Sequence, residues 1–143
     1  DLLPNRNQNY VFDLDKFTDI NGKTGIYIQY AQVRAKKLLD KSDNIKNKNY
    51  ISEFNNEERQ LRLLITKLTY YFNLSKNNYE PHHLADYLYT LSQSFNTFYA
   101  NNKIFSDDIS DEEKVKRIEI VKDFYNTSCL VSDCLGIKLV DSM

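Results

Sequence analysis

Apolar positions in this chain recur every three or four residues over four long stretches, the period of an α-helix seen from its buried side. Ile28, Ala31, Ala35, Leu38 and Leu39 mark the first stretch. Thr24 precedes it, and its hydroxyl can accept an unpaired N–H of the first turn. Leu61, Leu64, Ile65 and Leu68 mark the second, which starts near Ser52 or Asn55 and carries Glu57 and Glu58 in its opening turn. Leu84, Leu88, Leu91, Phe95 and Phe98 mark the third. Pro81 opens it, at a position where a missing N–H costs nothing. Ile118, Ile120, Val121, Phe124, Tyr125, Val131 and Leu135 mark the fourth. Its apolar arc is wide, as on a helix held between neighbours, and Ser128 and Ser132 interrupt it with side chains small enough for close helix approach. Ser110 and Glu113 form a capping box ahead of it. Gly136 ends it as a left-handed cap on which Ile137 can fold back.

The prediction is an all-α bundle of four main helices, near residues 24–41, 52–74, 81–101 and 111–135. A short N-terminal helical turn precedes them, capped by Asp13 and anchored by Phe12 and Phe17. Only 3 Gly and 2 Pro punctuate the chain, which favours a few long helices over many short strands. At 143 residues the length suits one domain with one modest core. Residues 1–9 are polar and read as a tether to something upstream, and residues 10–143 read as the helical domain. No apolar run approaches the roughly 20 residues that cross a bilayer. The N-terminus is no signal peptide. Cys129 and Cys134 lie five apart on one predicted helix and point in different directions, so they form no mutual disulfide. Two reduced thiols suit a cytoplasmic protein.

Charge narrows the possible partners. The formal net charge is -1, so a nucleic-acid contact cannot rest on bulk positive charge. It needs a local patch, and residues 31–50 offer one: Arg34, Lys36, Lys37, Lys41, Lys46 and Lys48 against Asp40 and Asp43. Tyr27, Tyr30, Arg34, Lys37 and Lys41 share an arc of the first helix about 80° wide. Two rings followed by three cations make a stacking platform that leads into a phosphate rail. The same residues also fit tyrosines half-buried at a core edge and a solvated helix end.

Other chemistry finds less material. His82 and His83 are adjacent, so on a helix they diverge by about 100° and no metal site is expected. Asp107, Asp108, Asp111, Glu112 and Glu113 serve a loop and a helix cap. Neither G-x-x-x-x-G-K-[ST] nor G-x-G-x-x-G occurs. The chain by itself is predicted to catalyse nothing.

Three blocks carry a resemblance. GKTGIYIQYAQVRAKKLL resembles G-x-T-G-P-Y-x-Q-Y-A-x-x-R, with Ile26 standing where Pro is usual. PHHLADYLYTLSQSFNTFY resembles P-x-x-L-x-x-Y-L-x-x-L-x-x-x-F-x-x-F-Y. Residues 117–143 resemble a closing pattern that runs from R-x-x-L-V to L-L-G-I and a final Met. Together they are similar to the C-terminal anticodon-binding domain of arginyl-tRNA synthetases, class I enzymes. A Pro often breaks that family's second helix, and none stands in residues 69–74. The resemblance implies a domain that holds the anticodon loop of an arginine tRNA for a catalytic domain upstream. That catalytic domain would use ATP, Mg²⁺ and arginine through motifs missing from this sequence, so this domain needs no cofactor. The resemblance gives the RNA-contact set as Gly22, Thr24, Gly25, Tyr27, Gln29, Tyr30, Arg34, Tyr99, Lys103 and Met143, with no catalytic residue and no metal ligand. Lys103 takes a place that some relatives fill with an aromatic. A monomer is expected, with no membrane contact. The alternative is a helical protein-interaction domain that docks a partner on its Tyr-rich face.

Overall fold

The computed structural model describes residues 2, 4–5, 7–19, 22–42 and 53–142, without the side chains of residues 16 and 17. Among these residues there are six helices and no strand: α1 Leu14–Thr18, α2 Gly25–Lys41, α3 Asn56–Thr66, α4 Leu68–Asn78, α5 His82–Asn101 and α6 Asp111–Leu135. The four predicted main helices are present, and the second is in two pieces. Lys67, with φ −79° and ψ −1°, leaves helical geometry for one residue, and its N–H reaches the carbonyls of Ile65 and Leu64. α4 then runs past the predicted end to Tyr79, which takes the left-handed conformation at φ 53°. No Pro or Gly is needed at either bend. Of the predicted anchors of α1, Phe12 is exposed and the Phe17 side chain lies outside the described atoms.

The helix ends follow the local rules. Asn55 and Glu58 complete a reciprocal capping box at the start of α3. At Gly136, with φ 70°, α6 closes with Ile137 N–H on Ser132 O at 2.9 Å, and Ile137 packs against the core.

The apolar stripes meet in one core. Leu61, Leu88, Leu91, Phe95, Phe98, Val121 and Phe124 are fully buried, and the Phe95 and Phe124 rings stack at 4.0 Å. The small residues of α6 act as expected. Ser128 and Ser132 are buried, and Gln32 Nε2 of α2 donates to Ser132 Oγ at 2.8 Å. Tyr87 is buried in α5, and its hydroxyl donates to Leu64 O at 3.0 Å across to α3. Burial pushes the Tyr87 phenol well above its ordinary range.

Contacts between helices set their directions. Lys23 meets Asp86, Tyr27 meets Tyr89, and Arg34 meets Asn96 and Tyr99, so α2 and α5 run parallel. Gln32 meets Ser132 and Gln29 meets Lys138, so α6 runs antiparallel to α2. A buried charge cluster ties α3 to α6. Glu58 accepts from Lys116 Nζ at 2.9 Å and from Arg117 Nε at 2.9 Å, and all three side chains are buried or nearly so. The spare donors are matched too: Lys116 Nζ reaches Glu53 O at 2.8 Å and Arg117 Nη1 reaches Lys103 O at 2.6 Å. Burial alone would raise the Glu58 carboxyl. The hydrogen bonds from Lys116, Arg117 and the Asn55 backbone outweigh it and hold the group below its usual range.

Candidate nucleic-acid interface

Since α2 and α5 are parallel neighbours, their polar edges form one continuous strip. At its centre is Arg34. Its guanidinium carbon lies 4.5 Å from the Tyr30 ring centre and 4.5 Å from that of Tyr99, so one flat cation sits between two rings. Its Nη1 donates to Asn96 Oδ1 at 2.7 Å, which fixes the plane from the side. Tyr30 and Tyr99 each keep about two-fifths of their surface exposed. Beside them opens a groove of ≈ 210 Å³ lined by Tyr30, Val33, Arg34, Lys37, Leu38, Lys41 and Tyr99. Of the rings and cations predicted to share one arc of α2, Tyr30, Arg34, Lys37 and Lys41 line one groove and Tyr27 does not, and Tyr99 of α5 stands on its opposite wall.

Further up α2 the pairing repeats. Tyr27 packs on Tyr89 at 5.4 Å, and Lys23 Nζ sits 5.3 Å from the Tyr89 ring centre while bonding Asp86 at 2.7 Å. Gln93 Nε2 donates to the Tyr89 hydroxyl at 3.0 Å. Tyr89, Gln93 and Asn96 were missed from sequence. Their spacing of four and three residues puts them on the polar edge of the α5 stripe, which is the signal that finds them once α2 is known to lie alongside.

The other expected contact residues divide. Gly25 is exposed, and a side chain there would meet nothing within 4 Å. Gly22 is tighter, since an added Cβ would lie 3.2 Å from Asp19 Cβ. Thr24 is only 5% exposed. Its hydroxyl accepts from Tyr27 N–H at 3.4 Å and donates to Asp19 O at 2.8 Å, so it shapes the loop and caps α2 from inside. Gln29 Nε2 is engaged by Lys138 O at 2.9 Å, which links α2 to the C-terminal segment. Lys103 lies past the end of α5 and pairs with Asp108 at 3.1 Å, outside the groove lining. Met143 lies outside the described residues, as do Lys46, Lys48 and Asp43 of the basic patch.

The histidines do not diverge as expected. The His82 and His83 rings lie 4.0 Å apart, and with Glu80 they bring three donor atoms within 4.8 Å. Pro81 leads into the helix with φ −63° and ψ −19°, so the pair sits in the opening turn, where neighbouring side chains can converge. His83 Nε2 and Glu80 Oε2 share a hydrogen bond at 2.9 Å, which lowers the Glu80 carboxyl.

The molecule is thus an all-helical domain with rings and cations side by side in a groove between two of its helices, a combination that stacked bases and phosphates can both use. The chain belongs to the DALR anticodon binding domain family, whose pattern matches residues 28–143. It is 34% identical over its whole length to the arginine–tRNA ligase of Francisella tularensis and 36% identical to that of Buchnera aphidicola. It spans about a quarter of the length of these curated relatives, 26% and 25%. Among solved structures it is similar to the arginyl-tRNA synthetase of Thermus thermophilus, with a TM-score of 0.79 and 26% identity over 87% of this chain and 22% of that one. The fold also matches a putative arginyl-tRNA synthetase from Campylobacter jejuni, with a TM-score of 0.82 and 19% identity over 99% of this chain and 32% of that one. Among the described residues no helix is long and apolar enough to cross a membrane.

Proposed function

We propose that this chain holds the anticodon loop of an arginine tRNA for an arginine–tRNA ligase whose catalytic part lies outside these residues. The observation that carries the reading is the Arg34 guanidinium held between Tyr30 and Tyr99 beside Lys37 and Lys41. Single-stranded loops present unstacked bases to rings and phosphates to cations, and this groove offers both side by side. ATP, Mg²⁺ and arginine belong to the catalytic part, and the chain's share is to position RNA. Cys129 and Cys134 are both unbridged, which suits the reducing cytoplasm where aminoacylation serves translation. A docking face for a protein partner would carry fewer lysines than the Lys37 and Lys41 that line this groove.

The test is a binding titration with an arginine tRNA and a non-cognate tRNA at several salt concentrations. Tighter binding of the arginine tRNA, falling steeply with salt, is the expected result. Equal binding of both, or none, overturns the reading.

A further inference from the structure

The chain has two histidines, and both stand in one place. His82 and His83 open α5, directly after the turn that leaves α4 through Tyr79. One ring nitrogen of each and one Glu80 oxygen lie within 4.8 Å of one another, and all three residues are half-buried. The set is held in place from outside. Buried Ser75 grips the Glu80 backbone twice: Glu80 N–H donates to Ser75 O at 3.0 Å, and Ser75 Oγ donates to Glu80 O at 2.9 Å. Asn5 Nδ2 donates to Glu80 Oε1 at 3.3 Å, while Glu80 Oε2 meets His83 Nε2 at 2.9 Å. His82 Nδ1 is buried and has no hydrogen-bond partner. A ring nitrogen left so forfeits a bond that water would have given it, a cost that folded proteins rarely carry without a reason.

We infer that Glu80, His82 and His83 bind a divalent transition-metal ion of the zinc type. Two imidazole nitrogens and one carboxylate oxygen are donors that such an ion takes, whereas Mg²⁺ and Ca²⁺ prefer oxygen alone. Ligands about 2.1 Å from a zinc ion stand about 3.4 Å apart at the corners of a tetrahedron. The three donors, within 4.8 Å of one another, reach that spacing by small side-chain rotations, and water completes the fourth corner. The unpaired N–H groups that open α5 disfavour a cation by roughly half a charge, and the full charge of the Glu80 carboxylate outweighs them. Bound there, the ion ties the opening of α5 to the turn after α4 and, through Asn5, to the leading segment. Tyr99 lies about 25 Å further along α5, so the ion takes no part in the Arg34 groove.

The probe is Zn²⁺ alone, titrated by calorimetry into the metal-free chain, with Mg²⁺ as the control. The exposed Cys134 thiol also attracts zinc, so Cys134→Ser is the background throughout. The expected result is one Zn²⁺ per chain at low-micromolar affinity or tighter, with no matching heat from Mg²⁺. Zinc at about 100 times its Kd then favours the folded state about 100-fold, which raises the melting temperature by about 5–10 °C. Loss of an outer partner of a metal ligand costs about 10–100-fold, so Asn5→Ala, which only positions Glu80, should weaken binding about tenfold. His82→Ala and His83→Ala each remove a ligand and should weaken it about 100-fold or more. Because no other histidine is present, a two-bond ¹H–¹⁵N spectrum reads both rings directly, and a nitrogen of each should shift when Zn²⁺ is added. Millimolar binding, equal heat from Mg²⁺, affinity that survives both histidine substitutions, or ring signals that do not move overturns the inference. Where an alanine variant fails to fold, Glu80→Gln carries the same test, because the neutral amide keeps the shape and is a poor zinc ligand.

Discussion

Replacing Arg34 with Ala removes a group that touches both walls of the groove. Two ring contacts of this kind are each worth about 0.5–1 kcal/mol at exposed sites. The hydrogen bond to Asn96 adds a share of the ~1.5–3 kcal/mol typical of a charged donor, reduced because water can replace it in a half-exposed site. The rings account for about 1–2 kcal/mol, and with the hydrogen bond the net loss is about 2–3 kcal/mol. A domain of this size loses roughly 2–4 °C per kcal/mol, so the melting temperature should fall by about 4–12 °C. If the guanidinium also reaches phosphate when RNA enters, the slope of log affinity against log salt should flatten by about 0.7. Arg34→Lys separates the two effects. Lysine keeps the charge and loses the flat fork that sits between two rings. It should melt nearly as low as Arg34→Ala while keeping the wild-type salt slope. The assay is thermal unfolding by circular dichroism beside tRNA binding at four or more salt concentrations. Wild-type melting in Arg34→Ala would refute the energetic role of the sandwich. Identical slopes for wild type, Ala and Lys would refute the phosphate contact and leave Arg34 a structural residue.

Other outcomes follow from the same geometry. Tyr30→Ala and Tyr99→Ala should each weaken tRNA binding by about 5- to 150-fold, the worth of one stacked base, with the salt slope unchanged; normal binding by both folded variants would remove the platform from the site. Glu58→Gln leaves Lys116 and Arg117 buried without their counter-charge and should cost about 3–5 kcal/mol in urea unfolding. The folded Glu58 carboxyl lies below its ordinary 4.5, so its stabilisation is complete above that pH and fades as pH falls through the folded value. Between pH 5 and 2 the wild type should therefore lose more stability than Glu58→Gln, and parallel acid curves would count against the cluster. Deleting residues 140–143 removes the exposed Lys36–Asp141 ion pair, so melting should hardly change while tRNA binding weakens; a large fall in melting temperature would make the tail structural instead. The chain alone should show no arginine-dependent ATP–pyrophosphate exchange, and detectable exchange would contradict its separation from the catalytic part.

The stripes on α2, α5 and α6 were legible because their apolar spacing is regular, and every stripe residue of α5 from Leu84 to Phe98 is buried as expected. Thr24, Ser110 and Gly136 were legible as caps, since each acts on backbone within a few residues of itself. The bend at Lys67 was not, because neither it nor Tyr79 bears the Gly or Pro that marks a break. Tertiary packing of α4 on α5 decides it. The site was half legible for the same reason. Tyr27, Tyr30, Arg34, Lys37 and Lys41 share a helix and can be grouped by angle. Asn96 and Tyr89 enter only when α5 is known to lie alongside in parallel. Glu58, Lys116 and Arg117 show the limit most plainly. Helical spacing gives each of them a direction, and only the assembled bundle gives it a partner.

The parallel run of α2 and α5 has an electrical consequence. Each helix carries roughly half a negative charge at its C-terminal end, where carbonyls are left unpaired. Antiparallel neighbours would set opposite ends together and nearly cancel. Here both C-terminal ends lie beside the Arg34 groove and their fields add, offset in part by the N-terminal end of α3, whose cap Asn55 donates to Asn102 at 2.6 Å just past the end of α5. Lys37 and Lys41 sit in the last turns of α2, where they oppose that field before any RNA arrives. Part of the positive charge of the groove is thus spent on the fold, and the charge left for phosphate is smaller than a count of side chains suggests.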